Sequence, residues 1–186
     1  MFHIDALVII DLQVASFVRG DKYDLPATLE RINALATSVR AGGGRVIFVL
    51  HDGTPEQDLI PHTPGWQLLP ELERVPADVI VRKTLNDAFA GTTLASELEA
   101  ASVRTLAIAG WATDYCVDST VRSAVSRGYQ VLVPSDAHTV SHRAHLTAPQ
   151  IIAHHNSIWA GLIASPPVRV APTAELIAAS VTARRL

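Results

Sequence analysis

The chain has a single cysteine, Cys116, few aromatic residues (5%) and no excess of positive charge. One cysteine excludes an internal disulfide framework and a zinc site built from cysteines alone. A chain without disulfides suits a compartment that keeps thiols reduced, and we therefore expect a cytoplasmic protein. Fifteen basic side chains against eighteen acidic ones leave a net charge of −3, which argues against binding to nucleic acid or to an anionic membrane surface.

Long apolar runs are also missing. No run approaches the roughly 20 residues that a membrane-spanning helix requires. The amino terminus carries no basic stretch, and its apolar run Ala6–Ile10 stops at Asp11. We therefore expect neither a signal peptide nor a membrane segment.

The chain does have 186 residues, of which 48% are hydrophobic and 18% charged. This composition is typical of a globular protein and excludes a disordered one. A chain of this length buries about 70% of its unfolded surface without cross-links. Since no repeat or linker divides the sequence, we expect a single domain over residues 1–186.

Short apolar runs alternate with longer segments of helical periodicity. The runs are rich in Val and Ile and show little polar alternation, as is typical of strands covered on both faces; they are Ala6–Ile10, Val46–Leu50, Asp78–Val81, Thr105–Ala109 and Gln130–Val133. The helical segments lie between or after them: a helix from about Pro26 to Gly42, then Ser96–Ala101, Val117–Arg127 and Ile151–Ile163. This alternation predicts an α/β fold, a three-layer α/β/α sandwich with a mainly parallel, Rossmann-like sheet.

One proline-rich segment, His51–Pro76, interrupts the alternation. We interpret it as a long loop with one short helix near Gln67–Leu72. Long loops in α/β domains often wall the active site.

Polar residues follow each predicted strand. In open α/β sheets, ligands bind beyond the carboxyl ends of the strands, so these residues are candidates for a site: Asp11 and Gln13, His51 and Asp52, Lys83, Thr113, Asp114 and Cys116, and Asp136 and His138. An acid, a lysine and a cysteine at one edge would supply a base, a cation and a thiol nucleophile.

Cys116 is the most informative of these residues. Thr113 suits the N-cap position of a helix, which would leave Cys116 in the first helical turn. There the helix dipole and the free N–H groups favour a thiolate. The alternative for Cys116 is a small buried core residue, and the alternatives for Asp11 and Lys83 are a carboxylate that caps a strand end and a solvated lysine.

Three separated segments resemble the motifs of one enzyme family. Ile9–Gln13 with Phe17 is similar to the opening Asp-x-Gln motif of the isochorismatase-like cysteine hydrolases, the superfamily of nicotinamidases, N-carbamoylsarcosine amidases and isochorismatases. Arg82–Leu94 resembles the lysine segment of that family, and Gly110–Thr120 resembles its nucleophile segment. The likeness runs from about residue 4 to residue 160, in the family's order and spacing.

The resemblance implies a catalytic triad of Asp11, Lys83 and Cys116. It also implies a cis peptide between Trp111 and Ala112, which would turn the Ala112 N–H toward that of Cys116 to form an oxyanion hole. The implied reaction is hydrolysis of a small amide-type bond through a thioester on Cys116, with Asp11 as the proton acceptor. Isochorismatases proper cleave a vinyl ether without a nucleophilic cysteine, so Cys116 together with Lys83 favours amide hydrolysis.

Pocket residues and assembly follow from the same resemblance. The predicted lining residues are Gln13, Phe17, Trp66, Trp111 and Tyr115. We expect a small-molecule substrate of the amide type, no cofactor, and a homodimer or homotetramer.

Several alternatives stay open at this point. Nicotinamidases of the superfamily bind a metal through Asp-x-His, whereas this chain has Asp52-Gly53-Thr54; His51 and His62 are the remaining candidates, a poor set for tight zinc binding, and we expect no metal. The sequence His154-His155-Asn156 invites a Cys-His-Asn protease interpretation, but it falls in a predicted helix where packing or subunit contact is favoured. A catalytically silent, binding member of the family is a third alternative. A disulfide-based redox sensor would need a second cysteine.

Overall fold

A seven-stranded parallel sheet forms the centre of the structure, a computed structural model that describes residues 3–18, 20 and 22–183. Its strands are β1 (Ala6–Ile10), β2 (Arg45–His51), β3 (Val79–Lys83), β4 (Thr105–Trp111), β5 (Gln130–Pro134), β6 (His138–Thr139) and β7 (Arg169–Ala171). They are ordered β3-β2-β1-β4-β5-β7, and β6 pairs with the end of β4. Each of these pairings is parallel.

Helices cover both faces of this sheet. They are α1 (Val14–Phe17), α2 (Leu25–Ala41), α3 (Leu94–Ala100), α4 (Asp118–Ser126), α5 (Ala148–Ala160) and α6 (Thr173–Ala183). Helices α2 and α6 pack on one face, whereas α3, α4 and α5 contribute to the core on the other. The predicted three-layer α/β/α sandwich with a parallel sheet is confirmed. No helix in the described part of the chain is both long and apolar enough to cross a bilayer.

The central strand β1 explains why the apolar runs do not alternate. All five of its residues are buried. Leu7 and Ile9 join the core beneath α2, while Val8 and Ile10 join the core on the opposite face. Because both faces exclude water, and burying a large aliphatic side chain contributes about 1.5–3 kcal/mol, each position of the strand favours an apolar residue.

The loop between β2 and β3 departs from the prediction. Gln67–Leu72 is not helical, and a 3₁₀ turn forms at Pro55–Gln57 instead. Leu68 forms an antiparallel bridge with Gln13, and the Leu69 N–H donates to the Leu12 carbonyl at 2.9 Å. The spacing of leucines in this loop thus reflects burial against the sheet and not helical periodicity.

Glycine 110 brings the end of β4 against the end of β1. Its φ is +120°, and a Cβ at this position would lie 2.3 Å from the Ile10 carbonyl oxygen. A side chain would therefore push the two strands apart. This close approach sets the segment after β4 beside Asp11, the first residue after β1.

Candidate active site

Asp11, Lys83 and Cys116 meet at the carboxyl edge of the sheet. Asp11 follows β1 with a φ of 52°, in the left-handed region that aspartate tolerates better than most residues. Lys83 is the last residue of β3, and Cys116 lies in the π-helical turn Thr113–Val117 between β4 and α4. We call this segment the Cys116 turn.

The Lys83 amino group joins the other two side chains. Its Nζ lies 2.7 Å from Asp11 Oδ2 and 3.4 Å from Cys116 Sγ, and it donates to the Leu85 carbonyl at 3.0 Å. The side chains of Lys83 and Asp11 are 0% and 6% exposed, so Lys83 is not a solvated surface lysine. The second carboxylate oxygen, Asp11 Oδ1, is buried and has no hydrogen-bond partner among the described residues.

Burial dominates the protonation of this group. It raises the pKa of Asp11 above its ordinary value, although the Lys83 charge and the contact with the Cys116 thiol act in the opposite direction. Burial, with the nearby Asp11 carboxylate, raises the pKa of Cys116 to about 12, against the influence of Lys83. Burial thus opposes the thiolate that the helix-dipole argument predicts, and it favours the thiol form of Cys116 at neutral pH.

The Cys116 turn begins one residue earlier than the sequence suggested. Ala112 is the N-cap, and the Thr113 hydroxyl does not cap the turn. That hydroxyl instead lies 2.9 Å from His138 Nδ1 and 3.1 Å from the Thr139 carbonyl. The prediction of Thr113 as N-cap is wrong because a long-range partner takes its hydroxyl. The peptide between Trp111 and Ala112 is cis.

A cavity of about 180 Å³ opens above the sulfur. Two of the predicted pocket residues, Trp111 and Tyr115, line it, and Phe17 packs against Trp111 with ring centroids 5.3 Å apart. The full lining consists of Asp11, Ser16, His51, Leu59, Asn86, Trp111, Ala112, Tyr115 and Cys116. The cavity thus brings the Asp11 and Cys116 side chains together with the aromatic residues Trp111 and Tyr115.

The other two predicted pocket residues lie elsewhere. Gln13 is fully buried; its amide donates to the carbonyls of His51 (3.0 Å) and Trp66 (2.9 Å), and its oxygen accepts from the His51 N–H at 2.7 Å. Trp66, in the loop between β2 and β3, is buried and donates through Nε1 to Asp52. Both side chains therefore correct the sequence-based assignment: they hold the loop to the sheet and do not line the cavity.

Asn86 is the lining residue that the sequence reasoning missed. Its Oδ1 lies 3.7 Å from Cys116 Sγ. Its position could have been inferred from the sequence, because Asn86 stands three residues after Lys83 in the segment Arg82–Leu94. Ser16 lies in the short helix α1 and Leu59 in the loop after β2, and the sequence pattern predicts neither position.

The Asp52 carboxylate is bonded to protein groups. Asp52 Oδ1 accepts from Trp66 Nε1 at 2.9 Å, and Oδ2 lies 2.7 Å from an Arg82 guanidinium nitrogen. Each oxygen thus has a protein partner, and His62 packs against the Trp66 ring with centroids 5.2 Å apart. Within residues 3–18, 20 and 22–183, no group of three or more His, Cys, Asp or Glu side chains is arranged to hold a cation.

The chain is similar in sequence to curated hydrolases. The chain is 39% identical over 137 residues to two streptothricin hydrolases of Streptomyces noursei, an alignment covering 73% of this chain and 49% and 54% of theirs. It is 27% identical over 168 residues to a ureidoacrylate amidohydrolase of Methylorubrum extorquens, covering 70% of this chain and 68% of the relative. The chain thus spans about half the length of the streptothricin hydrolases that it matches.

Solved structures and a family model point the same way. A crystal structure of an isochorismatase family protein superimposes with a TM-score of 0.83 at 36% identity, covering 89% of this chain and 96% of the other. An isochorismatase from Pseudomonas putida KT2440 gives a TM-score of 0.83 at 28% identity, with 92% and 89% covered. The isochorismatase domain model matches residues 5–155, which contain all three residues of the Asp11, Lys83 and Cys116 group. The chain belongs to the isochorismatase family.

Proposed function

We propose that this protein hydrolyses a small amide-type C–N bond, with Cys116 as the nucleophile, Asp11 as the proton acceptor and Lys83 as their electrostatic support. The observation that carries the proposal is the Lys83 amino group, which contacts both Asp11 Oδ2 (2.7 Å) and Cys116 Sγ (3.4 Å). Asp11 Oδ1 remains buried without a hydrogen-bond partner among the described residues. Because this oxygen accepts no hydrogen bond from a described residue, it is available to receive the proton of the neighbouring thiol.

In the first step the sulfur attacks the substrate carbonyl carbon. Because the pKa of Cys116 is raised to about 12, the thiol must lose its proton during the attack, and Asp11 receives it. The carbonyl oxygen gains negative charge as the C–S bond forms. We assign its stabilisation to the backbone N–H groups of Ala112 and Cys116, two residues that line the cavity.

The second step breaks the C–N bond. Asp11 returns its proton to the departing nitrogen, which leaves as ammonia or an amine, and the acyl group stays on Cys116 as a thioester. Water then attacks the thioester carbon and gives a proton to Asp11. When the C–S bond breaks, Asp11 passes that proton to the sulfur, and the free enzyme is restored with release of a carboxylic acid.

The names of the relatives suggest where to look for the substrate. The streptothricin hydrolases and the ureidoacrylate amidohydrolase supply two candidate compounds. We propose a panel of streptothricin, ureidoacrylate, nicotinamide, other primary amides, ureido acids and lactams, assayed for ammonia or a new amine. We expect at least one to be hydrolysed by the wild-type protein and not by the Cys116→Ala protein. If both proteins give the same background on every compound, the silent binding member of the family is the better interpretation.

We expect hydrolysis to need no metal ion. The Asp52 carboxylate is already bonded by Trp66 and Arg82, so a cation at this position would compete with them. Exhaustive dialysis against a chelator should therefore leave the turnover rate unchanged. Loss of turnover that is restored by zinc or manganese would favour the metal-dependent, nicotinamidase-type alternative.

A further inference from the structure

Helix α5 is connected to the Cys116 turn by a buried chain of hydrogen bonds. Asn156 on α5 places Oδ1 3.0 Å from His138 Nε2, and His138 Nδ1 lies 2.9 Å from the hydroxyl of Thr113, the first residue of the turn. Thr113 is fully buried and His138 is 1% exposed. Neither residue lines the cavity above Cys116. These hydrogen bonds therefore reach the turn from the side that does not face the cavity.

The direction of each hydrogen bond between Asn156, His138 and Thr113 follows from the other contacts of these side chains. The Asn156 amide nitrogen donates to the Ser135 carbonyl at 2.9 Å, which leaves the Asn156 oxygen to accept a proton from His138 Nε2. Burial lowers the pKa of His138 to about 4, so the ring carries one proton at neutral pH. Nδ1 is then an acceptor, so the single proton of the Thr113 hydroxyl goes to Nδ1 at 2.9 Å and not to the Thr139 carbonyl, which lies 3.1 Å from the same oxygen.

A second contact joins the same helix to the far end of the turn. Trp159 on α5 donates through Nε1 to Asp118 Oδ1 at 2.8 Å, and Asp118 directly follows the turn. The Trp159 ring also meets the His138 ring edge-on, with centroids 5.1 Å apart. Side chains of α5 thus support both ends of the Cys116 turn indirectly, at its start through His138 and at its end through Asp118.

We propose that His138 is a positioning residue, which holds the segment from Ala112 to Cys116 in register with Asp11 and Lys83, and that Asn156 fixes the His138 ring with Nδ1 toward Thr113. This inference rests on the proposed function, because it assumes that Cys116 and the two backbone N–H groups of the segment do the chemistry. A buried polar chain with every member paired favours one arrangement of the backbone. Displacement of a reacting group by about 1 Å can cost about 10²-fold in rate, so a small movement of this turn is sufficient to lower turnover.

Two isosteric substitutions of His138 separate positioning from general stability. The amide of asparagine matches the position of Nδ1, so His138→Asn keeps an acceptor for Thr113 and loses the link to Asn156. The amide of glutamine matches Nε2, so His138→Gln keeps the link to Asn156 and loses the acceptor for Thr113. We expect kcat to fall by about 10- to 100-fold in His138→Gln, with little change in KM, and to fall much less in His138→Asn.

The substrate for this test is streptothricin, ureidoacrylate or nicotinamide, whichever the wild-type protein hydrolyses fastest. Iodoacetamide labelling of Cys116 adds a readout that needs no substrate; since burial is the main cause of the high thiol pKa, we expect faster labelling in His138→Gln than in His138→Asn. His154→Ala, at an exposed position of the same helix, is the matched control and should resemble the wild type in both assays. Circular dichroism melts report the stability of each variant.

Equal kcat values and equal labelling rates in the two His138 variants would overturn the proposal. If either variant fails to fold, Thr113→Val and Thr113→Ser replace the pair: valine removes the hydroxyl at nearly constant shape and should lower kcat, whereas serine keeps it. Equal kcat in those two proteins would likewise overturn the positioning role. Full activity of the Cys116→Ala protein is a different result, because it would remove the proposed function itself.

Discussion

The Cys116→Ala protein is expected to fold normally and to lose amide hydrolysis by on the order of 10⁴-fold or more. The substitution deletes one sulfur atom from a partly exposed position beside the cavity, so the cavity and the Asp11–Lys83 pair are retained. Binding of substrate should therefore persist while turnover ends. The measurement is kcat for the best compound of the amide panel, with substrate binding to the inactive protein followed by calorimetry.

Mass spectrometry makes this expectation specific for the covalent route. When turnover of a slow amide substrate is quenched with acid, we expect an acyl adduct on the peptide that contains Cys116. Cys116→Ser is the matched control, since it keeps a small polar side chain but offers a much weaker nucleophile. Full activity in Cys116→Ala, or an adduct on another residue, would end the scheme.

Substitution of Asp11 by asparagine is expected to lower kcat by about 10²–10⁴-fold, the usual loss on removal of a general base. Asparagine keeps the size of the side chain but has no carboxylate to receive the thiol proton. The loss should not add to that of a Lys83 substitution, because the three residues act as one unit. A double variant that multiplies the two separate losses would contradict this view.

In contrast to turnover, the alkylation rate of Cys116 should rise in the Asp11→Asn protein. The Asp11 carboxylate is one of the causes of the raised Cys116 pKa, whereas Lys83 acts against it. Asp11→Asn therefore lowers the thiol pKa and should speed alkylation by iodoacetamide at neutral pH, about tenfold for each pKa unit. Lys83→Met is the matched control: it also removes turnover but should slow alkylation. Slower alkylation in Asp11→Asn would show that the carboxylate assists the thiolate in the resting enzyme.

The pH profile gives a further check on Asp11. Turnover needs the carboxylate form, so activity falls as pH decreases through the pKa of Asp11. Burial raises that pKa above the ordinary aspartate value, and the acid limb of kcat/KM should therefore lie at higher pH than for a solvated carboxyl. The residual activity of Asp11→Asn should lack this limb.

Much of the architecture is predictable because it depends on local pattern. Strand β1 was predicted with its observed bounds, and the ends of the other long strands differ by only one or two residues. The two short strands β6 and β7 were missed, since two or three residues are too few to show a period. Helix α5 ends at Ala160 and not at Ile163, because Gly161 caps it before the following prolines are reached.

The sheet, and the edge at which Asp11, Lys83 and Cys116 meet, can be predicted from the sequence alone. Strands covered on both faces must be continuously apolar, and the carboxyl ends of parallel strands share one edge, so both inferences need only the order of residues along the chain. Three features depend on the folded chain: Gln13 and Trp66 turn away from the cavity, Asn86 lies beside the sulfur, and burial raises the pKa of the Cys116 thiol. These properties depend on burial and on partners distant along the chain, such as the Asp52 carboxylate that binds Trp66 and the Asp11 carboxylate that opposes ionisation of Cys116.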